Sequence, residues 1–368
     1  MLNELYIIFT VALATALFVS GVLFYSISCN TENYVFKTVL RLITFTYCFF
    51  GLVNALELWS CVFMPDSNDA LLFQETTLIV AVSQAFLFTF SLIFLIHAAY
   101  ITRKRVLREI IPIITLSIAF IAARFILPAN LVKITIWLFI LFYIWLLIKY
   151  TRLFVIIYRD CLQKMDNFFS GAEAEHLKWV NISFYAALSI GVLALVSSLF
   201  PHVIIGVLCS IIYLIFYLYF ACRIVNYGNI YKKLEDALSD EPIPLEQPEE
   251  GKNALQASVV NTIETNLNKW LAEKQFLQAG VTIDDLAILC HTNRSYLSEY
   301  INSEKEKTFR HWINELRIDY AKHLLAQNPK LELWQIAEQT GYTDSKYFST
   351  QFKKITGKTP SEYRSLIG

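Results

Sequence analysis

Cysteine is sparse in this chain and follows no pattern. The seven cysteines, at positions 29, 48, 61, 161, 209, 222 and 290 of 368, have neither the CxxC nor the Cys/His spacing of a metal site. Disulfide frameworks and zinc sites are recognised by such spacings. The sequence therefore predicts neither a disulfide framework nor a metal site.

Catalytic and transport signatures are also missing. The chain has no HExxH, no GxSxG, no P-loop and no aspartate pair within an apolar run. Glycine occurs only 11 times, which disfavours the interrupted helices of secondary transporters. We therefore expect a protein that is not an enzyme, with no catalytic residues and no cofactor.

Apolar residues are abundant, at 56% of the chain, whereas soluble proteins average about 45–50%. The mean hydropathy is +0.47, and the apolar excess lies before Gly228. A helix needs about 20 apolar residues to cross a membrane core of about 30 Å. Seven runs meet this length, at 4–28, 36–63, 71–100, 107–127, 131–151, 178–200 and 202–226. Residues 1–228 are therefore predicted to form a polytopic transmembrane bundle of seven helices, the first of which is retained.

Basic residues occupy alternate loops between these runs. The third loop contains Arg103, Lys104, Arg105 and Arg108, whereas the second loop, residues 64–75, has three acids and no lysine or arginine. Basic loops stay in the cytoplasm, which predicts an outer N-terminus and a cytoplasmic C-terminus. The long cytoplasmic loop at 160–178 mixes acids and bases, and we expect it to be solvated or to form a short surface helix.

A few polar residues interrupt the apolar runs and are candidates for a sensor site: Asn54, Glu57 and Arg124. Ionisable groups at such depth usually face the bundle interior and often have a function. Glu57 and Arg124 are expected near the outer ends of their helices, where they could pair. The functional interpretation is an outward-facing ligand pocket, and the alternative is a structural ion pair.

Residues 229–252 are predicted to be a short helix and a linker. The linker contains three prolines and many acids without apolar periodicity, which favours a flexible or extended segment. Such a linker would not transmit a rigid rotation. We therefore expect the membrane region to control the C-terminal part through self-association of two chains.

One pattern occurs twice in residues 253–368, at about 282–302 and 332–354. Each copy has an apolar stripe at helical spacing, a polar turn and a second short helix, which together indicate a helix-turn-helix. Gly341 fits the left-handed position of the second turn, whereas His291 occupies that position in the first turn with a strain of roughly 1 kcal/mol. Thr282 and Asp285 have the spacing of a capping box.

The two copies and the helix between them resemble the DNA-binding domain of the AraC/XylS family of transcription regulators. The resemblance rests on INELRIDYAKHLLAQ and on IAEQTGYTDSKYFSTQFKKITGKTPSEYR. It implies that the second helix of each copy enters the DNA major groove. The residues that it implies as DNA readers are Arg294, Ser295, Ser298 and Glu299 in the first copy, and Ser345, Lys346, Ser349 and Thr350 in the second, with Lys353 on phosphate.

The charge of this part is close to neutral. From Asn261 onward there are 14 lysines and arginines against 13 aspartates and glutamates, a net charge of +1. DNA-binding domains are usually more basic, so we expect a small electrostatic contribution to DNA binding. This neutrality is also the one feature that favours a helical module for protein contact.

Together these features predict a membrane-tethered, one-component transcription regulator in the bacterial inner membrane. Its expected partners are double-stranded DNA, the lipid bilayer, a second copy of the chain and an unidentified small-molecule or membrane signal. The alternative is a transporter or enzyme with an appended, autoregulatory DNA-binding domain.

Overall fold

The computed structural model describes residues 2–63, 70–200, 202–238, 254–328 and 330–367. The described residues form helices, and the only strand-like feature among them is one isolated bridge between Phe169 and Thr282. The chain divides into two compact units. The N-terminal unit comprises residues 1–161 and 178–235, and the C-terminal unit comprises residues 162–177 and 236–368. The predicted all-α class is confirmed.

Seven long helices make up the first part of the chain: α1 (Leu2–Asn30), α2 (Tyr34–Phe63), α3 (Ala70–Ile96), α4 (Arg103–Ile126), α5 (Ala129–Phe168), α6 (Lys178–Leu199) and α7 (Val203–Leu238). By length and composition, all seven are suited to cross a membrane. Large apolar side chains on their outer faces are exposed, for example Ile118, Phe125 and Trp137. A water-soluble bundle rarely exposes so much apolar surface.

Two of these helices, α5 and α7, extend well beyond the apolar runs from which they were predicted. Helix α7 continues to Leu238, so the short helix predicted after residue 228 is the end of α7. The linker predicted at its end falls on residues 239–253, which lie outside the described residues. Helix α5 continues 17 residues past its predicted apolar run and ends at Phe168, because it has no proline or glycine. The buried residues Phe154, Tyr158, Cys161, Met165 and Phe168 form a continuous stripe along it.

The C-terminal unit contains seven further helices: α8 (Ala254–Ala272), α9 (Ile283–Leu289), α10 (Arg294–Lys305), α11 (Phe309–Gln327), α12 (Leu333–Gln339), α13 (Ser345–Thr356) and α14 (Pro360–Ile367). Short 3₁₀ helices cover Glu173–Leu177 and Gln275–Leu277. Helices α9 and α10 form the first helix-turn-helix, and α12 and α13 form the second. Helix α11 connects them, as the sequence predicts.

Each helix-turn-helix has a small apolar core. In the first, Ile283, Leu286, Ala287, Leu297 and Ile301 are buried. In the second, the equivalent core joins one side of α11. Its buried members are Ile318, Leu325, Ile336, Ala337, Phe348 and Phe352, among others.

The loop between α5 and α6, which is predicted to be solvated or to form a short surface helix, agrees with its prediction only in part. Glu173–Leu177 form a short 3₁₀ helix with Glu175 and His176 exposed, but residues 162–177 belong to the C-terminal unit. Ser170 is only 1% exposed, and Phe168, Phe169 and Leu177 are buried as well. The mixed charges of this loop are typical of a surface, but its two adjacent phenylalanines pack inward.

Candidate nucleic-acid interface

The first helix-turn-helix is held in place by local hydrogen bonds. Thr282 and Asp285 form the predicted capping box at the start of α9, with the Asp285 N–H donating to Thr282 Oγ1 at 3.2 Å and the Thr282 N–H to Asp285 Oδ2 at 2.9 Å. Asn293 caps α10 by accepting from the Tyr296 N–H at 2.8 Å. Between them, His291 has a φ of 53°. The predicted left-handed histidine is therefore confirmed, and its backbone is strained.

The turn of the second helix-turn-helix contains Gly341, with a φ of 79°. This confirms the predicted left-handed glycine, and the structure adds a second reason for it. A Cβ atom at this position would lie 2.6 Å from the Leu277 carbonyl oxygen and 3.1 Å from Arg317 Cζ. Asp344 then caps α13, accepting from the Lys346 N–H at 2.7 Å. Only glycine fits both the conformation and the space.

Most of the residues that the family resemblance implies as DNA readers are accessible. Ser295, Glu299, Ser345, Lys346, Thr350 and Lys353 are exposed, whereas Arg294, Ser298 and Ser349 are half-buried. Ser349 Oγ donates to the Ser345 carbonyl oxygen and Thr350 Oγ1 to the Lys346 carbonyl oxygen, both at 2.9 Å. A hydroxyl that donates its proton can still accept a hydrogen bond. With these hydrogen bonds in place, the Ser349 and Thr350 hydroxyls are suited to accept hydrogen bonds from the amino groups of adenine or cytosine.

Arg294 has a different environment from the other implied readers. Its Nε donates to Asp284 Oδ1 and its Nη2 to Asp284 Oδ2, each at 2.7 Å. Its guanidinium also lies over the Phe168 ring, 4.5 Å from the centroid. The paired hydrogen bonds occupy two of its donor groups in the strong fork geometry. Arg294 therefore lies on the recognition helix, but its donors already have partners within the domain.

Positive charge is concentrated on the second helix-turn-helix. Lys346, Lys353 and Lys354 are exposed on α13, and Lys358 is exposed just after it. The exposed charges of α10 are mainly acidic, with Glu299 and Glu304. Phosphate attraction should therefore come mainly from the second unit.

Two polar residues on the buried side of α11, which the sequence analysis did not single out, join this helix to neighbouring segments of the C-terminal unit. Arg317 is 1% exposed and donates to the carbonyl oxygens of Phe276 at 2.8 Å and Gln278 at 2.7 Å. Burial lowers the pKa of Arg317. Asn314 accepts from Tyr342 Oη at 2.7 Å. Two polar residues three positions apart on an otherwise apolar helix face indicate buried side chains that need hydrogen-bond partners.

The candidate sensor residues of the N-terminal unit do not form the expected pair. Arg124 pairs with Glu75, with Nη1 3.3 Å from Oε2, and Glu57 accepts a hydrogen bond from Tyr6 Oη. Asn54 donates to the Phe50 carbonyl oxygen of its own helix at 2.8 Å. The carboxylate that pairs with Arg124 is thus Glu75 of α3 and not Glu57. The functional role of these residues stays a prediction.

Residues 286–365 match a family model described as a helix-turn-helix domain. The Msm operon regulatory protein of Streptococcus mutans is 30% identical over 140 residues, which are 38% of this chain and 47% of that protein. The raffinose operon transcriptional regulatory protein RafR of Pediococcus pentosaceus is 31% identical over 116 residues, 32% of this chain and 41% of that protein. The bifunctional transcriptional activator/DNA repair enzyme AdaA of Bacillus subtilis is 32% identical over 94 residues, 26% and 44% of the respective chains.

Each of these matches spans less than half of the relative's own length. They support the helix-turn-helix assignment. The expectation that the protein is not an enzyme stays a prediction, since AdaA combines both activities in its name. The C-terminal part of this chain is a helix-turn-helix DNA-binding domain of the AraC type.

Proposed function

We propose that the protein is a membrane-tethered transcription regulator whose C-terminal unit binds specific DNA sequences. The observation that supports DNA binding most directly is the pair of helix-turn-helix units on the single helix α11, each with exposed residues on its second helix. Two recognition helices of this kind read successive major-groove segments about 34 Å apart. The relatives that are named as operon regulators support the same role.

The proposal places the seven long apolar helices in the bacterial inner membrane, with the N-terminus outside and the C-terminal unit in the cytoplasm. It is supported by the seven suitable helices, by their exposed apolar faces and by the alternating basic loops. In this arrangement the DNA-binding unit lies on the same side of the membrane as the chromosome. The bundle is proposed to sense a small-molecule or membrane signal, and two copies are proposed to share one operator.

DNA binding is tested with the full chain in lipid nanodiscs and a pool of labelled genomic fragments. We expect fragments with a common sequence to be enriched, and we expect a variant carrying Ser345→Ala, Lys346→Ala and Thr350→Ala to lose that enrichment. Lys269→Ala is the matched control, because Lys269 is an exposed lysine of α8, outside both helix-turn-helix units. Equal enrichment by all three proteins, or none by any, would contradict the proposal.

Orientation is tested with reporter fusions placed after Ser67 and after Leu238. A periplasmic reporter should be active only after Ser67, and a cytoplasmic reporter only after Leu238. If both fusions report the cytoplasm, the number of membrane crossings is wrong.

A further inference from the structure

The end of α5 and the turn that follows it are built into the DNA-binding unit. The Ser170 N–H and Ser170 Oγ both donate to the Val281 carbonyl oxygen, at 3.3 Å and 2.6 Å. The neighbouring residue Phe169 forms the isolated antiparallel bridge with Thr282. The segment therefore lies against the start of α9, where the first helix-turn-helix begins.

The same segment also contacts the connecting helix α11 and the second helix-turn-helix. Asp166 pairs with Arg310 at 2.6 Å, and Arg310 Nε donates to Tyr347 Oη at 2.9 Å. Tyr347 Oη in turn donates to the Gly171 carbonyl oxygen at 3.2 Å. Asn314 Nδ2 donates to the Ser170 carbonyl oxygen at 3.3 Å. Residues 166–171 thus have partners in α11, in α13 and at the entrance of α9.

Phe168 is the member of this segment that contacts a residue of the recognition helix α10. Its ring covers one face of the Arg294 guanidinium, while Asp284 binds the edge through two hydrogen bonds. As a result the Arg294 side chain is only 19% exposed. Arg294 is the first residue of α10, and Ser295 beside it is exposed. An arginine at this position would be suited to a DNA phosphate if its partners released it.

We propose that residues 166–171 restrain the DNA-binding unit, with Phe168 holding Arg294 on Asp284 and thereby withholding it from DNA. The proposal rests on the DNA-binding function proposed above and deepens it. Displacing Phe168 exposes the face of the Arg294 guanidinium and weakens its hydrogen bonds with Asp284. One further cation then becomes available to bind a DNA phosphate. The restraint is regulatory because Phe168 is the last residue of α5, which is one uninterrupted helix from Ala129.

This arrangement adds a second covalent connection to the DNA-binding unit besides the linker. The flexible linker is predicted at residues 239–253, which lie outside the described residues. The segment at 162–177 joins the unit from α5 on one side and α6 on the other. Helix α5 is one of the seven long apolar helices, and Phe168 is its last residue.

The test measures binding of the full chain in nanodiscs to a labelled duplex of mixed sequence over a series of salt concentrations. Phe168→Ala should tighten binding at low salt by about two- to tenfold, the range expected from losing one cation–π contact. The dependence on salt should steepen by up to about 0.9 in the log–log slope, since one additional phosphate is contacted. Phe168→Leu keeps an apolar side chain in the same place and should change binding in the same direction, which separates the restraint from loss of packing.

Arg294→Ala provides a second test, in which the half-buried Arg294 is changed instead of the buried Phe168. The affinity of Arg294→Ala alone is measured first and serves as the reference for the double variant. In combination with Phe168→Ala, Arg294→Ala should abolish the gain, so that the two changes are coupled. If Phe168→Ala tightens binding as much in the Arg294→Ala background as in the original chain, or if both Phe168 variants bind more weakly than the original, the restraint is refuted. Absence of binding by every variant, the original chain included, would instead overturn the proposed function.

Discussion

Both helix-turn-helix units place a seven-residue helix before a twelve-residue helix. Both close the turn with the same backbone bond, from the Thr292 N–H to the Ala287 carbonyl oxygen and from the Tyr342 N–H to the Ala337 carbonyl oxygen, each at 2.9 Å. The second turn is one residue longer, and the additional residue lies between the left-handed position and the cap of α13. The two units therefore share one backbone design with a single local insertion.

Their side chains make these similar backbones chemically different. The second unit has a glycine at the strained position and exposed lysines along α13. The first unit has His291 at the strained position, acidic residues on α10 and an arginine that is already paired. A repeated fold thus does not imply repeated affinity. We expect the second unit to supply most of the DNA attraction and the first unit to be the one that is regulated.

The largest effect is expected from Gly341→Ala, which alters the turn of the second helix-turn-helix. The new Cβ would lie 2.6 Å from the Leu277 carbonyl oxygen in a conformation unfavourable for alanine, and we expect a destabilisation of about 2–4 kcal/mol. Amide hydrogen exchange of α12 and α13 in the full chain should accelerate accordingly.

Gly357→Ala is the matched control for this change. Gly357 has a nearly identical φ of 78°, but no atom lies within 4 Å of its added Cβ. Replacing Gly357 by alanine should lower the free energy of unfolding by only about 1 kcal/mol, from the backbone strain alone. Equal effects at both glycines would show that the close approach to Leu277 does not matter.

A smaller effect is expected from Glu299→Lys, which gives the first unit the charge of the second. Glu299 is exposed on α10, and a lysine there should raise DNA affinity by about five- to tenfold at low salt and steepen the salt slope by roughly 0.9. Binding of the full chain to a labelled duplex, measured over a range of salt, reports both quantities.

Glu304→Lys makes the same change in charge on the same helix and is the matched control. It lies five residues further along, about 140° around the helix from Glu299. It should therefore alter binding much less. A gain as large as that of Glu299→Lys would mean that overall charge, and not the face of α10, determines the attraction.

The helix-turn-helix units were predictable from sequence because they are local. Apolar residues at helical spacing, the capping pair Thr282 and Asp285, and Gly341 each act within a few residues of the chain. The all-α class and the approximate helix positions followed from the same kind of signal.

The contacts of residues 166–171 were not predictable in this way. Asp166 and Arg310 are 144 residues apart, and Ser170 and Val281 are 111 apart, so no local pattern joins them. The hint that was present is the apolar stripe ending at Met165 and Phe168, beyond the predicted span. Likewise, the polar residues Asn314 and Arg317 on the buried side of α11 indicated that partners existed without identifying them.

The smallest effect is expected from His291→Gly, which gives the first unit the turn residue of the second. Relief of the left-handed strain should stabilise the unit by about 1–2 kcal/mol. The greater freedom of glycine in the unfolded chain opposes this by roughly 0.5–1 kcal/mol, so the net gain should stay below about 1.5 kcal/mol. The imidazole is exposed, so its removal should sacrifice little packing. Amide exchange of α9 and α10 should slow slightly, while that of α12 and α13 serves as an internal reference and stays unchanged.

His291→Asn should give a gain of the same sign and a few tenths of a kcal/mol, because asparagine tolerates this conformation. Faster exchange of α9 in both variants would show that the His291 side chain stabilises the first unit by more than its backbone strain destabilises it.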